Sequence, residues 1–182
     1  MDDGVDQELV ARFRAGDAAA FTELVIRYQR PIYNAAFWVL RNAEDANDIA
    51  QDVFLKVAER LDDYDPRYKF FSWIYRIAVN ASLNMLRRSK REEPLDDEAE
   101  FPAADSTDPE RQLGDAQLAA RVRGALMRMS TNDRMIVTLR HFSECSYEEI
   151  GEILDLDEKT VKSRLFEARR RLRDLLHDLR PN

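Results

Sequence analysis

Ser146-Tyr-Glu-Glu-Ile-Gly-Glu-Ile-Leu-Asp-Leu-Asp-Glu-Lys-Thr-Val-Lys-Ser-Arg-Leu-Phe166 is the stretch on which the fold turns. Ser146 to Glu149 has the S-x-x-E form of a capping box, which predicts a helix over 147–154. Asp155-Leu156-Asp157 breaks the apolar rhythm, and a long helix follows. Gly151 falls where two crossing helices approach closely, Leu156 fills the corner between them, and Val161 faces back into the pair. This is helix-turn-helix spacing; an ordinary helical hairpin is the competing reading. Along the second helix Val161, Leu165, Ala168, Leu172, Leu175 and Leu179 recur at alternating steps of four and three, which makes one buried stripe. Lys159, Lys162, Ser163, Phe166, Glu167, Arg170 and Arg173 lie opposite. A mostly basic face with a hydroxyl and an outward aromatic suits a major-groove reader. Cations meet phosphates or guanine edges, a ring edge meets a thymine methyl, and Glu167 has the chemistry to accept from cytosine N4.

Upstream, apolar residues recur at three and four and glycine is scarce. Phe21, Leu24, Val25 and Tyr28 follow Asp17, an N-cap candidate; Ile49, Val53, Phe54 and Val57 form another face, and Trp73, Ile77 and Ala81 a third. Leu118, Val122, Ala125, Leu126 and Met129 begin a helix pair, and Ser130 to Asp133 offers a capping box for its second member. No segment alternates with period two, so the fold is expected to be all-α.

The 182 residues carry a net charge of -7, which at first sight disfavours DNA as a partner. The arrangement of the charge says otherwise. Residues 1–63 hold 13 acids and 7 bases; residues 64–91 hold one acid and seven bases. Residues 92–112 hold nine acids, one base and Pro94, Pro102 and Pro109, while 159–173 has seven bases against Glu167. An acidic body thus carries two basic stripes. The proline-rich acidic stretch reads as a linker with too few apolar side chains to offset the entropy of ordering. Two small helical domains follow, 1–91 and 113–182, joined by a flexible acidic linker over 92–112, the second a four-helix domain with the helix-turn-helix.

The first basic stripe differs in kind from the second. In the helix expected to begin near Ser72, Arg76, Asn80, Asn84, Arg87 and Arg91 fall within an arc of roughly 80°. Asparagines between arginines resemble base readers flanked by phosphate contacts. Just before them, Tyr64-Asp-Pro-Arg-Tyr-Lys-Phe-Phe71 places four aromatics and two bases in a loop, a combination that stacks and holds an unpaired base. Trp73 and at least one of Phe70 and Phe71 are assigned to the core. Asp45, Asp48, Gln51 and Asp52 share the acidic face of another helix, opposite Ile49, Val53 and Val57. That face is either a solvated helix side or a dock for a basic partner, and it cannot hold DNA.

Several function classes are excluded. No run of about 18 apolar residues exists, so membrane insertion is not expected, and the acidic amino terminus does not read as a signal peptide, which places the protein in the cytoplasm. Lone Cys145 forms no internal disulfide and, with only His141 and His177, no metal cluster. Neither a nucleophile-base pair nor a phosphate loop is present, so no enzyme, metal or cofactor is expected. A thiol at Cys145 is read as packed rather than as a redox handle.

Four segments in this order, GDAAAFTELVIRY, DANDIAQDVFLKV, FSWIYRIAVNASLNMLRR and SYEEIGEILDLDEKTVKSRLFEARRRLRDLL, resemble the bacterial RNA polymerase sigma factors of the sigma-70 family, in the compact extracytoplasmic-function (ECF) group. The resemblance spans nearly the whole chain and implies roles. Asp45, Asp48, Gln51 and Asp52 would dock on the clamp helices of the largest subunit of core RNA polymerase, and the second domain on its flap. Arg67, Tyr68, Lys69, Arg76, Asn80, Asn84, Arg87 and Arg88 would recognise and melt the minus-ten element of promoter DNA, the 65–71 loop capturing an unstacked base. Its Pro66, Arg67, Tyr68 and Lys69 depart from the commoner small loop. Lys159, Thr160, Lys162, Ser163, Phe166, Glu167 and Arg170 would read the minus-thirty-five element, Glu167 standing where relatives often have a base. An anti-sigma factor is the implied regulatory partner. The alternative from another class is a stand-alone helix-turn-helix regulator, which would bind specific DNA tightly without polymerase.

Overall fold

The computed structural model describes residues 3–92 and 109–178, and among them every regular element is helical. α1 spans Asp3–Arg14, α2 Ala18–Leu40, α3 Ala43–Arg60, then a 3-10 turn Leu61–Asp63, and α4 Phe70–Glu92. α5 spans Pro109–Arg128, α6 Thr131–His141, α7 Tyr147–Leu154 and α8 Glu158–Asp178. The all-α expectation holds among the described residues; α1–α4 are termed the first unit below and α5–α8 the second.

Local chemistry starts the helices where the sequence placed them, within a residue or two. The Asp17 carboxylate accepts the Ala19 N–H at 3.0 Å at the head of α2. Asn42 Oδ1 accepts from Glu44 and Asp45 at 2.8 and 3.1 Å, so α3 opens just before Asp45. Ser130 accepts the Asp133 N–H at 3.2 Å, while the Asp133 carboxylate reaches Arg171 at 2.5 Å. The capping box at Ser146 and Glu149 is complete in both directions, at 3.1 and 2.6 Å.

α2 crosses the first unit, burying Leu24, Tyr28, Ile32 and Ala36 against α3 and α4. Trp73, Ile77 and Ala81 pack against the core as expected but stay half-buried, while the fully buried arc of α4 runs through Phe70, Ile74, Tyr75, Ala78 and Val79. One expected face needs correction. Leu118 is exposed, whereas Ala125, Leu126 and Met129 are buried. Packing between the units is not visible in any single helix: α7 lies on α4 and α6 on α2.

α2 ends at Arg41 in the left-handed region (φ 61°), a conformation usually left to glycine. Its N–H closes the helix onto the Phe37 carbonyl at 2.9 Å. Its guanidinium donates to the Met127 carbonyl in the second unit. Buried Arg134 reaches the other way, donating to the carbonyls of Trp38, Met127 and Met129. Two cations thus stand between the carbonyl ends of α2 and α5, where helix dipoles favour them.

In the second unit the Arg169 Nε–H donates to His141 Nε2 at 3.1 Å. Burial, and then Arg169 and Arg140, hold the imidazole below its ordinary value. The unfolded chain therefore binds this proton more readily, so the contribution is complete above about pH 6.5 and is lost as pH falls through the depressed value. His141→Gln, which cannot charge, is expected to show a smaller drop in melting midpoint between pH 7.5 and 5.5 than the parent; an identical drop would remove His141 as its source.

Candidate nucleic-acid interface

The two candidate surfaces are built on different supports. In the second unit Gly151 and Val161 make the helix-turn-helix corner. A Cβ on Gly151 would stand 2.6 Å from the Leu156 carbonyl oxygen and 4.0 Å from Val161 Cγ2. Leu156 turns its N–H to the Gly151 carbonyl at 2.9 Å. Val161, Leu165 and Ala168 are buried as the spacing predicted; Leu172 and Leu175 are partly buried, and Leu179 lies outside the described residues. α8 is thereby held with its opposite face in solvent, where Lys159, Lys162, Ser163, Phe166, Glu167 and Arg170 stand exposed, Phe166 at 70%.

Thr160 is half-buried, its N–H and hydroxyl both on the Asp157 carboxylate at 2.8 and 2.6 Å. These bonds pull the Asp157 carboxyl below the usual range and make Thr160 part of the α8 cap. Lys162 pairs with Glu158 at 2.6 Å and sits 5.5 Å from the centre of the Tyr147 ring, while Glu167 pairs with Arg171 at 3.6 Å. The neighbouring arginine offsets the carboxylate, so Glu167 need not repel a phosphate.

The first unit presents Arg76, Asn80, Asn84, Arg87 and Arg88 on the exposed arc of α4. The side chain of Arg91 lies outside the described residues. The loop before α4 is more structural than its composition suggests. Tyr64 is 2% exposed, Phe70 and Phe71 are buried, and Trp73 packs 5.4 Å from Tyr64 and 5.8 Å from Phe70, ring to ring. Only Tyr68, 53% exposed, is a free stacking surface. The Tyr64 hydroxyl donates to the Tyr68 carbonyl at 2.7 Å, and Arg14 donates to the carbonyls of Leu61 and Tyr64 at 2.7 and 3.0 Å. Arg67 closes on Asp65 at 2.5 Å. Buried rings therefore brace the turn that holds Tyr68 outward, and Arg14, which sequence reasoning missed, belongs to that brace. Nothing in its local pattern signals a partner some fifty residues away.

Lys69, with half of its side chain still in solvent, places its ammonium 2.8 Å from the Glu149 carboxylate of α7. That contact raises the lysine above its ordinary value.

Asp48, Gln51 and Asp52 are exposed and Asp45 half-buried on α3, opposite buried Ala46, Ile49, Val53 and Val57. Leu55, 63% exposed, continues this face one turn on, which helical spacing from Asp48 and Asp52 could have shown. Cys145 is buried, and burial pushes its thiol up to about 12, consistent with a packed thiol. Among the described residues no group of His, Cys, Asp or Glu is placed to hold a metal ion, and no helix is long and apolar enough to cross a membrane.

Two helical units, one bearing a helix-turn-helix with a basic outer face, define a helical DNA-binding transcription protein. Its sequence carries that class to a family. The Sigma-70 region 2 family model matches residues 24–92, and that of Sigma-70 region 4 matches residues 119–172. The chain is 31% identical to the ECF RNA polymerase sigma factor SigW of Bacillus subtilis, over 93% of this chain and 96% of that protein. It is 35% identical to the ECF RNA polymerase sigma-E factor of Escherichia coli K12, over 90% of each. Among solved structures, CnrH in complex with the cytosolic domain of CnrY superposes with a TM-score of 0.72 at 27% identity, over 97% of this chain and 99% of that one. The chain belongs to the sigma-70 family of RNA polymerase sigma factors, in the ECF group. Members of this family are transcription initiation factors and not enzymes.

Proposed function

We propose that this ECF sigma factor acts in the cytoplasm by binding core RNA polymerase through the acidic face of α3, with its second unit on the flap. Residues 1–91 and 113–182 act as separate domains there, tethered by 92–112. In this reading Asp45, Asp48, Gln51 and Asp52 meet the clamp helices. Arg76, Asn80, Asn84, Arg87 and Arg88 read the minus-ten element while Arg67, Lys69 and Tyr68 take an extruded base. Lys159, Lys162, Ser163, Phe166, Glu167 and Arg170 enter the major groove at the minus-thirty-five element, with Thr160 fixing the head of α8.

The observation that carries this reading is the segregation of faces: an exposed acidic surface on α3, an exposed Arg/Asn arc on α4 and a basic, aromatic face on α8, each backed by buried apolar side chains. Unstacking a base costs a few kcal/mol, which stacking on Tyr68 at about 1 to 3 kcal/mol plus cationic contacts offsets. CnrH is solved in complex with the cytosolic domain of CnrY, and on that likeness a protein partner, which we read as an anti-sigma factor, is expected to restrain this chain.

Single-round transcription with purified core polymerase on a genomic template library tests the function; promoter-dependent starts are expected, and their absence from every template would refute it. Asn80→Ala separates the roles. Loss of one base contact, about 1 to 3 kcal/mol, should reduce opening or minus-ten selectivity roughly tenfold with core affinity unchanged. An equal loss of core affinity would remove Asn80 from the reading surface.

A further inference from the structure

The loop that offers Tyr68 to solvent is held from a distant part of the chain. α1 stands ahead of the residues that match Sigma-70 region 2 and packs on α2, burying Leu9 and Val10. Buried Asp6 pins it there: its carboxylate accepts the Tyr28 hydroxyl and lies 2.8 Å from Arg27 Nε. Tyr28 in turn stands edge-on to Phe70, the first residue of α4, with ring centres 5.5 Å apart. α1 is thereby set in place against the rings that close the loop.

From that position α1 meets the loop backbone at three carbonyls. Arg14 Nη2 donates to those of Leu61 and Tyr64 at 2.7 and 3.0 Å, and Gln7 Nε2 to that of Pro66 at 3.3 Å. The Leu61 carbonyl also accepts the Tyr64 N–H at 3.1 Å, so the guanidinium closes the end of the Leu61–Asp63 turn, where carbonyls lack helical partners. Its charge makes these the stronger bonds of the set. The same guanidinium stands 6.0 Å from the centre of the buried Tyr64 ring, whose hydroxyl carries the restraint onward to the Tyr68 carbonyl at 2.7 Å. Within the loop the Tyr68 N–H closes on the Asp65 carbonyl at 3.1 Å. The carbonyls of residues 61, 64, 65, 66 and 68 are all engaged, while the Tyr68 ring stays in solvent.

A side chain that takes a base from a duplex gains from a backbone already set, because ordering the loop at the moment of capture would cost conformational entropy. We propose that α1 is the positioning element of this loop: Arg14 and Gln7 hold the backbone from which Tyr68 projects, Tyr64 relays that hold, and Asp6 fixes α1 itself. The inference rests on the reading of Tyr68 as the side chain that stacks on an extruded base. Arg14 acts through the loop, so its loss slows strand opening and leaves duplex recognition and core docking alone.

The test pairs Arg14→Met, which keeps the aliphatic stem and helix propensity but cannot donate, with Tyr68→Ala, in the full chain with core polymerase. The probe is a promoter fragment mapped with core polymerase, carrying a fluorescent base analogue at successive non-template positions of the minus-ten element. Its emission rises when the base leaves the stack. Arg14→Met should cut the opening rate about tenfold, with core affinity and binding of the closed duplex unchanged. Tyr68→Ala should lower the rate too, and in its background the Arg14→Met effect should disappear, since nothing is left to position. Should Arg14→Met not fold, Tyr64→Phe keeps the buried ring and drops only the hydroxyl; it is expected to slow opening about threefold, with the same dependence on Tyr68. Losses that add in the double variant, a matching fall in core affinity, or parental opening rates in Arg14→Met and Tyr64→Phe would overturn the inference. Opening as fast as the parent by Tyr68→Ala would instead overturn the base-capture reading on which it rests.

Discussion

Gly151→Ala is expected to lower the melting midpoint of the second unit by about 10 °C and to cut initiation at promoters needing the minus-thirty-five element by more than tenfold. The added Cβ meets the Leu156 carbonyl oxygen at 2.6 Å, closer than any carbon and oxygen settle without displacement. That carbonyl is backbone and cannot rotate away. The Leu156 N–H is bonded to Gly151 itself at 2.9 Å, and Val161 stands just behind. Relief therefore requires α7 and α8 to move apart, an overpacking cost of about 2 to 3 kcal/mol, worth about 4 to 8 °C per kcal/mol in a unit of this size. It also re-aims Lys162, Ser163 and Phe166. Gly124 is the control. It sits within α5 with nothing within 4 Å of its absent Cβ, so Gly124→Ala should be neutral or stabilise by about 0.5 to 1 kcal/mol. Differential scanning of both variants decides it, and equal midpoints would mean that the corner adapts.

Asp52→Arg is expected to weaken core polymerase binding about 30- to 100-fold while leaving the midpoint unchanged. Asp52 is exposed in the middle of α3, one turn after Asp48 and beside Gln51, so arginine there meets no neighbour that would unfold the helix, and it is a good helix former. On the proposed basic partner it replaces attraction by repulsion, an effect of about 2 to 3 kcal/mol for a charge at a docking face. Competition between parent and variant for limiting core polymerase measures the ratio; unchanged affinity would take Asp52 out of the docking surface.

Legibility followed the range of the interactions. Asp17, Ser130 and Ser146 were readable as caps because a cap is settled within three residues. The stripe Val161, Leu165 and Ala168 was readable because helical period fixes a face without reference to its partner. The 64–71 loop was half readable. Four rings and two cations do suit an unpaired base, but composition cannot say that Tyr64, Phe70 and Phe71 turn inward and leave Tyr68 alone in solvent. The Trp73, Ile77 and Ala81 stripe was half readable too: it packs against the core but stays half-buried, because α4 is also covered by α7, so that its fully buried arc runs through Phe70, Ile74, Tyr75, Ala78 and Val79.

By itself the sequence determined an all-helical chain, the helix-turn-helix corner, the separation of an acidic face from two basic faces, and the family to which they belong. All of these depend on residues a few positions apart, where helical geometry is the only structure needed. The tertiary structure alone decided that Lys69 belongs to Glu149, that Arg134 caps a helix 96 residues away, and that the second unit lies on α4. Those contacts join surfaces whose side chains satisfy no local rule. A buried guanidinium or a half-covered helix face acquires its partner only when the chain closes on itself.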